Sequence, residues 1–449
     1  MEKQEFRAAA SLAAVFSVRL LGLFMIYPVF AEYARYLSGA TPYTTGLALG
    51  IYGLSQGLLQ IPFGLMSDKI GRKSMIVLGL SVFGAGSVVA AASTSIEGVI
   101  VGRALQGAGA VGSVILALVA DLTVEESRTE AMAIVGITIG TSFMVALVAG
   151  PILAGVIGVQ GIFWLMVALA LLGIAITIFL VPRPQHLRVH RDAETVSGML
   201  GSVLKNVELL RLDFGIFTLH AMLTASFLVV PSLLNARLNV DSHSQWQVYL
   251  PVLLLSAAVM VPAIIVAEKY RRMKGVFVGA VAALAASQFM LVVGKDDVYV
   301  VLAAITLFFA GFNVMEASLP SLVTKTAPPD AKGTAAGIYS SAQFLGIFIG
   351  GVVGGWVQQI EGGGSVFGWS GVLALLWLLV AVTMKQPSYL TTRLIRIENG
   401  CAVVAEDLAS KLRQLPGVVE AVVIADLAYL KVDSRAFDAA MARSLVGAR

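Results

Sequence analysis

The sequence predicts an all-α polytopic membrane protein: twelve transmembrane helices in two pseudo-symmetric six-helix bundles, followed by a small α+β domain. Three observations carry this. The chain is 58% hydrophobic and 13% charged, with a mean hydropathy of +0.87, which leaves too little polar surface for a water-soluble globule of 449 residues. Its apolar residues fall into runs of the length a helix needs to cross a hydrocarbon core. Its two halves also repeat one another at matching positions.

The runs cover about 11–34, 45–66, 75–93, 97–119, 132–155 and 161–181, then 214–234, 248–267, 276–293, 298–322, 334–357 and 366–384. The first follows a charged start (Glu2, Lys3, Glu5, Arg7) and continues too far for a cleaved signal segment, so it reads as a retained helix. Between the two sets of six lies a polar stretch, Pro182 to Asp213, with Arg183, Arg188, Arg191, Asp192, Glu194, Lys205 and Glu208. The expected division is therefore 1–181 for the first bundle, 182–213 for a cytoplasmic linker, 214–387 for the second bundle and 388–449 for a separate domain.

Orientation follows from the basic residues, because Lys and Arg are retained on the cytoplasmic side during insertion. The loops on the side of the termini carry Lys3, Arg7, Lys69, Arg72, Lys73 and Arg128 in the first half, and Lys269, Arg271, Arg272, Lys274, Lys325 and Lys332 in the second, besides the linker. The opposite loops hold Arg35, Arg237 and Lys295. Both termini are expected in the cytoplasm. The net charge of +4 is small, and no basic stripe with interleaved aromatics suggests nucleic acid as a partner.

The repeat shows at two places. The segment from Pro62 through Asp68 and Lys69 to Arg72 is echoed 200 residues later by Pro262, Glu268, Lys269 and Arg272. The approach to the fifth run, Asp121 to Ala131, parallels Lys325 to Ala335 before the eleventh. Gly64-Leu-Met-Ser-Asp68-Lys-Ile-Gly71-Arg72-Lys73 resembles the signature loop between the second and third helices of the major facilitator superfamily. Gly71 suits a tight turn, and Asp68 needs a cation or the positive end of a helix. The three basic residues also satisfy the inward bias of positive charge. The resemblance implies that Asp68 faces the start of the eleventh helix and that Arg72 reaches Asp121, a latch holding one side shut in one state.

Other matches lie in register. Gly102-Arg103-Ala-Leu-Gln106-Gly107 resembles the superfamily's fourth-helix motif, whose arginine is linked to proton coupling. An arginine six or so residues inside the membrane should face the central cavity rather than lipid. Gly150-Pro151-Ile-Leu-Ala154-Gly155 resembles the fifth-helix motif of antiporters, with Ala146 and Ala154 standing where glycine is usual. Leu21-Gly22 to Tyr27-Pro28 is similar to the first-helix pattern of the drug/proton antiporter group, with Pro28 able to bend the helix. The implied activity is proton-coupled export of small organic or drug-like compounds across a bacterial inner membrane by alternating access. A metabolite uniporter or importer, or a membrane sensor signalling through the C-terminal domain, remains open.

Proton coupling needs a group that changes charge within reach of both sides. Candidates are Glu316, favoured because a carboxylate in a partly dry cavity can exchange a proton near neutrality, then Arg103, Arg19, Glu32, His220 and, at a helix end, Asp121. A substrate pocket near the midplane would draw on Met25, Tyr52, Gln56, Phe309, Gln343 and Phe344, a mixture suited to an amphipathic organic molecule. No nucleophile constellation, phosphate loop or ATP motif suggests an enzyme, and no cofactor or metal is expected.

After Pro387 the apolar runs shorten and charges return. Leu394–Ile397, Val418–Ile424 and Ala428–Val432 read as strands, the last two about a turn at Asp426, and Val403–Leu415 and Ser434–Val446 as amphipathic helices. The order βαββα predicts a ferredoxin-like fold. It resembles the small domain of metal chaperones, but Cys401 is the only cysteine and forms no CxxC pair, which argues against metal transfer. A cytoplasmic ligand or protein partner is the expectation for this domain.

Overall fold

The computed structural model describes residues 3–183, 197–328, 331–386, 391–397, 405–424, 427–433 and 436–445. The linker charges Arg188, Arg191, Asp192 and Glu194, the Cys401 segment and the expected turn at Asp426 lie outside the described residues.

The first half runs α1 (Lys3–Phe24), α2 (Tyr27–Ala34), α3 (Pro42–Ile70), α4 (Arg72–Ala92), α5 (Ile96–Ala108), α6 (Gly112–Asp121) and α7 (Glu125–Phe179). A short α8 (Leu200–Val203) precedes the second half: α9 (Val207–Leu238), α10 (Trp246–Glu268), α11 (Met273–Gly294), α12 (Val298–Thr326), α13 (Lys332–Glu361) and α14 (Gly363–Val382).

Among the described residues, 10 helical stretches are long and apolar enough to cross a membrane. The joined α1–α2 and α5–α6 each count once, while α7 holds two spans turned about Gly158, whose φ of 70° only glycine adopts readily. The remaining span, α3, is diluted by Thr, Gln and Ser side chains that face other helices, and with it the spans number twelve.

Some helices begin at a polar cap. Thr41 caps α3 with a reciprocal bond to Thr44, Asn206 accepts from Glu208 and Leu209 at the start of α9, and Asp297 does the same for α12. The expected start of the seventh span at 214 is thereby moved back to Val207.

The two halves pack alike. α1 lies on the first part of α7 as α9 lies on α13, α4 meets α5 and α7 as α11 meets α12 and α14, and α3 meets α5 as α10 meets α12. Even the sharp turn repeats: Gly71 has φ 99°, and Arg271, 200 residues on, has φ 54°.

The C-terminal unit is β1 (Thr391–Arg396), α15 (Ala405–Arg413), β2 (Val418–Ile424), β3 (Leu427–Val432) and α16 (Ala439–Leu445). Its sheet order β1-β3-β2 is antiparallel throughout, as a ferredoxin-like βαββα unit requires. Two boundaries differ from the sequence reading by three residues or more. β1 begins three residues earlier, because pairing with β3 continues to Thr391 opposite Val432, and the last helix begins only at Ala439, where Asp438 accepts from Ala440 and Met441. Leu408, Leu412, Ala421, Leu430 and Val432 form its core.

The unit sits against the second half. Arg271 meets Asp433 at 3.6 Å, and Lys431 Nζ donates to the Thr326 carbonyl at 3.4 Å and faces Glu420 at 3.6 Å. Burial holds the Lys431 ammonium below its usual range, with Glu420 pulling the other way.

Candidate functional site

The seam between the halves is formed mainly by α3 and α13, and small residues let their backbones touch. A Cβ at Gly46 would collide with the Gly351 carbonyl, one at Gly50 would lie 2.8 Å from the Phe348 carbonyl, and one at Gly355 would reach the Pro42 carbonyl at 2.5 Å. On this face, opposite the termini, Tyr43 N–H also donates to Gln359 at 3.2 Å, and Tyr27 lies 3.3 Å from the Thr224 hydroxyl. Toward the termini the seam opens into a cavity lined by Gln60, Gly64, Asp68 and Arg72 on one wall and Gly333, Gly337 and Ser340 on the other.

Asp68 and the first turn of α13 therefore share that cavity. Arg72 is paired with Asp68, donates to the Ser67 hydroxyl at 2.5 Å, and reaches Asp121 at 3.1 Å, with both Arg72 and Asp121 side chains essentially dry. Lys73 does something else: its Nζ donates to the carbonyls of Val181 and Ile178 at the end of α7. The second half carries an ion pair at the corresponding place with the charges exchanged, Lys325 Nζ lying 2.6 and 2.7 Å from the two oxygens of Glu268.

Deeper in the first half lie two arginines. Arg103 is wholly buried rather than open to a cavity, donating to Gln106 at 2.8 Å and the Ala48 carbonyl at 3.4 Å, with its guanidinium 4.7 Å from the centre of the Tyr52 ring. Arg19, 2% exposed, donates to the Tyr52 hydroxyl at 2.8 Å and to Gln56. Gln56 in turn donates to Gln60 at 3.1 Å, and Gln60 lines the seam cavity.

Across the seam, His220 Nδ1 faces the Ile216 carbonyl at 3.3 Å, so its proton sits there and Nε2 accepts from the Gln343 amide at 2.8 Å. Glu316 Oε2 lies 3.9 Å from that Nε2 and has no hydrogen-bond partner among the described residues. Asn313, one turn away, donates to Ser256 at 2.8 Å.

Aromatic rings bridge the walls between these clusters. Phe143 stacks on Phe312 at 5.3 Å and Phe312 on Phe308 at 6.1 Å, while Phe24, Tyr27, Phe227 and Phe309 continue the series edge to face. Tyr52 and Phe344 meet at 6.4 Å from opposite halves.

Tyr52, Gln56, Phe309, Gln343, Phe344, Arg19, Arg103, His220 and Glu316 thus fall on or beside the seam. Met25 lies at the break between α1 and α2, its carbonyl where a Gly150 side chain would go, and Pro28 opens α2. Gly155 makes room for His243 of the second half, and Pro151 lies within α7. Glu32, near the end of α2, joins neither polar cluster among the described residues. Gln60, Phe143 and Phe312 were not singled out by the sequence, because a glutamine or phenylalanine in an apolar run carries no signal of which neighbour it faces; Gln106 entered only as part of the fourth-helix motif, and the buried Asp213 only as the end of the linker.

The Major Facilitator Superfamily profile matches residues 12–351 and 212–397. The chain is 44% identical over 438 residues to the inner membrane transport protein YajR of Escherichia coli, covering 97% of this chain and 96% of that protein. It is 32% identical over 169 residues to multidrug resistance protein 2 of Bacillus subtilis, covering 36% of this chain and 41% of that one. Its fold matches an inward-facing, unoccupied bacterial homologue of the human lysosomal transporter Spinster with a TM-score of 0.66, 13% identity, and 86% and 98% coverage. With twelve spans in two like halves, a shared seam and these relatives, the chain is a multi-pass membrane protein that belongs to the major facilitator superfamily, a secondary transporter of small molecules.

Proposed function

We propose that the protein is a proton-coupled antiporter that exports small organic compounds across a bacterial inner membrane, with both termini and the C-terminal domain in the cytoplasm. The observation that carries the coupling is Glu316. It is a carboxylate inside the second half, its Oε2 without a hydrogen-bond partner among the described residues and 3.9 Å from a histidine whose Nε2 is turned toward it and Gln343. Such a group takes up and releases a proton as the seam exposes it to one side or the other.

The excess of Lys and Arg on the terminal side supports the orientation. The fifth-helix motif, with Gly150 packed against Met25, and the partial similarity to a multidrug resistance protein support export. The Asp68–Arg72–Asp121 cluster acts as the latch of the terminal face, and rocking of the halves about the α3–α13 seam provides alternating access.

Purified protein in liposomes holding a pH-sensitive dye tests this against a panel of lipophilic cations and metabolites. The expected result is substrate-dependent proton movement that disappears in Glu316→Gln. Movement that survives the substitution removes Glu316 as the carrier and turns attention to Glu32, Asp121 or His220.

A further inference from the structure

We propose that the seam binds an organic anion, a carboxylate or sulfonate on a flat apolar body, with its charge held by Arg19 and Arg103 around Tyr52. This rests on the transporter reading above and adds the class of compound.

The argument begins with charge. Arg19 and Arg103 are 2% and 0% exposed, lie within membrane spans, and contact the same tyrosine ring, at 6.0 and 4.7 Å from its centre. Their partners are neutral: a phenol, two glutamines and a main-chain carbonyl. Neither has a carboxylate within ion-pair distance among the described residues, since the first half's acids whose side chains are described, Glu5, Glu32, Asp68, Glu97, Asp121 and Glu130, stand at or near helix ends. Arg19 Nε and Arg103 Nη2 have no hydrogen-bond partner among the described residues. Two desolvated guanidiniums without a counter-charge are costly, and a bound anion offsets that cost.

A third positive element points the same way. The fourth span is broken between α5 and α6, and Arg19 Nη1 lies 3.3 Å from where a Gly112 side chain would begin, at the first residue of the 10-residue α6. The leading N–H groups of a helix lack intrahelical acceptors and carry partial positive charge. A cation held against that end is repelled unless an anion lies between them, an arrangement recurrent at anion sites.

Access and body recognition follow from the seam. The Arg19–Gln56–Gln60 chain of hydrogen bonds runs to the cavity that opens toward the termini. Phe344 of the second half closes on Tyr52, and the stacked Phe143–Phe312 pair lies across the same seam, providing apolar faces for a ring.

Radiolabelled benzoate binding to the full-length protein in lipid nanodiscs tests the inference, with empty nanodiscs subtracted. Saturable binding is expected, displaced by benzenesulfonate but not by neutral benzamide or by tetraphenylphosphonium. Arg19→Gln should weaken it tenfold or more, the effect of losing a hydrogen bond to a charged group, and Arg19→Lys should recover part of the loss. The comparison of benzoate with benzamide on the unmodified protein needs no variant to fold.

Absence of benzoate binding, equal displacement by benzamide or tetraphenylphosphonium, or unchanged affinity in Arg19→Gln overturns the anion site. Liposome flux separates the two readings. Proton exchange driven by lipophilic cations but not benzoate leaves the antiporter and removes the anion. Arginine-dependent benzoate binding with protons moving in the same direction as benzoate leaves the anion site and removes the exchange.

Discussion

The contact between Arg72 and Asp121 lends itself to a double-mutant cycle. The guanidinium donates to Asp121 at 3.1 Å, its side chain is 2% exposed, and the Asp121 side chain is 0% exposed. Arg72→Gln leaves a carboxylate in a dry site and Asp121→Asn leaves a guanidinium there, so each single change should destabilise the folded protein by about 3 kcal/mol. The low end of the range for buried pairs applies because both residues keep further contacts.

Arg72→Gln/Asp121→Asn removes both charges and leaves two amides able to bond one another, for a loss of about 2 kcal/mol. The singles sum to about 6 kcal/mol, so the coupling is about 4 kcal/mol. Reversible unfolding in mixed detergent micelles, followed by tryptophan fluorescence at pH 7.5, measures all four proteins. Additivity within about 0.5 kcal/mol would refute the view that this pair ties the α3–α4 turn to the end of α6.

Three further outcomes can be checked. Gly46→Val, placing a branched side chain against Gly351, should prevent the face opposite the termini from closing; in a Cys401→Ser background, disulfide formation between Tyr43→Cys and Gln359→Cys should slow at least tenfold, and an unchanged rate would contradict the close approach. The Arg271–Asp433 pair is more than a third exposed on both sides, so Arg271→Ala should shift hydrogen exchange in β3 by no more than about 1 kcal/mol; complete release of the C-terminal unit would show that the pair carries more of the docking than its exposure allows. Burial lowers the Lys431 value from 10.5, so between that lowered value and 10.5 the unfolded chain binds more protons than the folded one and the C-terminal unit gains stability as pH rises. Exchange protection of the sheet, corrected for intrinsic rates, should rise across that window and lose its slope in Lys431→Met.

The sequence by itself determined the spans, the twofold repeat and the βαββα order. Each rests on a local pattern: hydrocarbon-length apolar runs, the proline, acid and arginine spacing at Pro62–Arg72 and Pro262–Arg272, and alternating strands after residue 387. The signature loop was legible for the same reason, since Asp68 and Arg72 are four residues apart, on either side of Gly71, and meet across that turn.

What only the tertiary structure decided is which residues from distant helices face each other. Glu316, His220 and Gln343 come from α12, α9 and α13, and no spacing in the chain relates them. Nor does any local signal show that Lys73 caps α7 instead of joining the latch, or that Gln56 and Gln60 link Arg19 to the seam cavity. An apolar run fixes that a helix crosses the membrane, but its rotation is set by where small residues such as Gly46 and Gly351 let two backbones touch. The pairing of polar groups inside the bundle follows from that rotation.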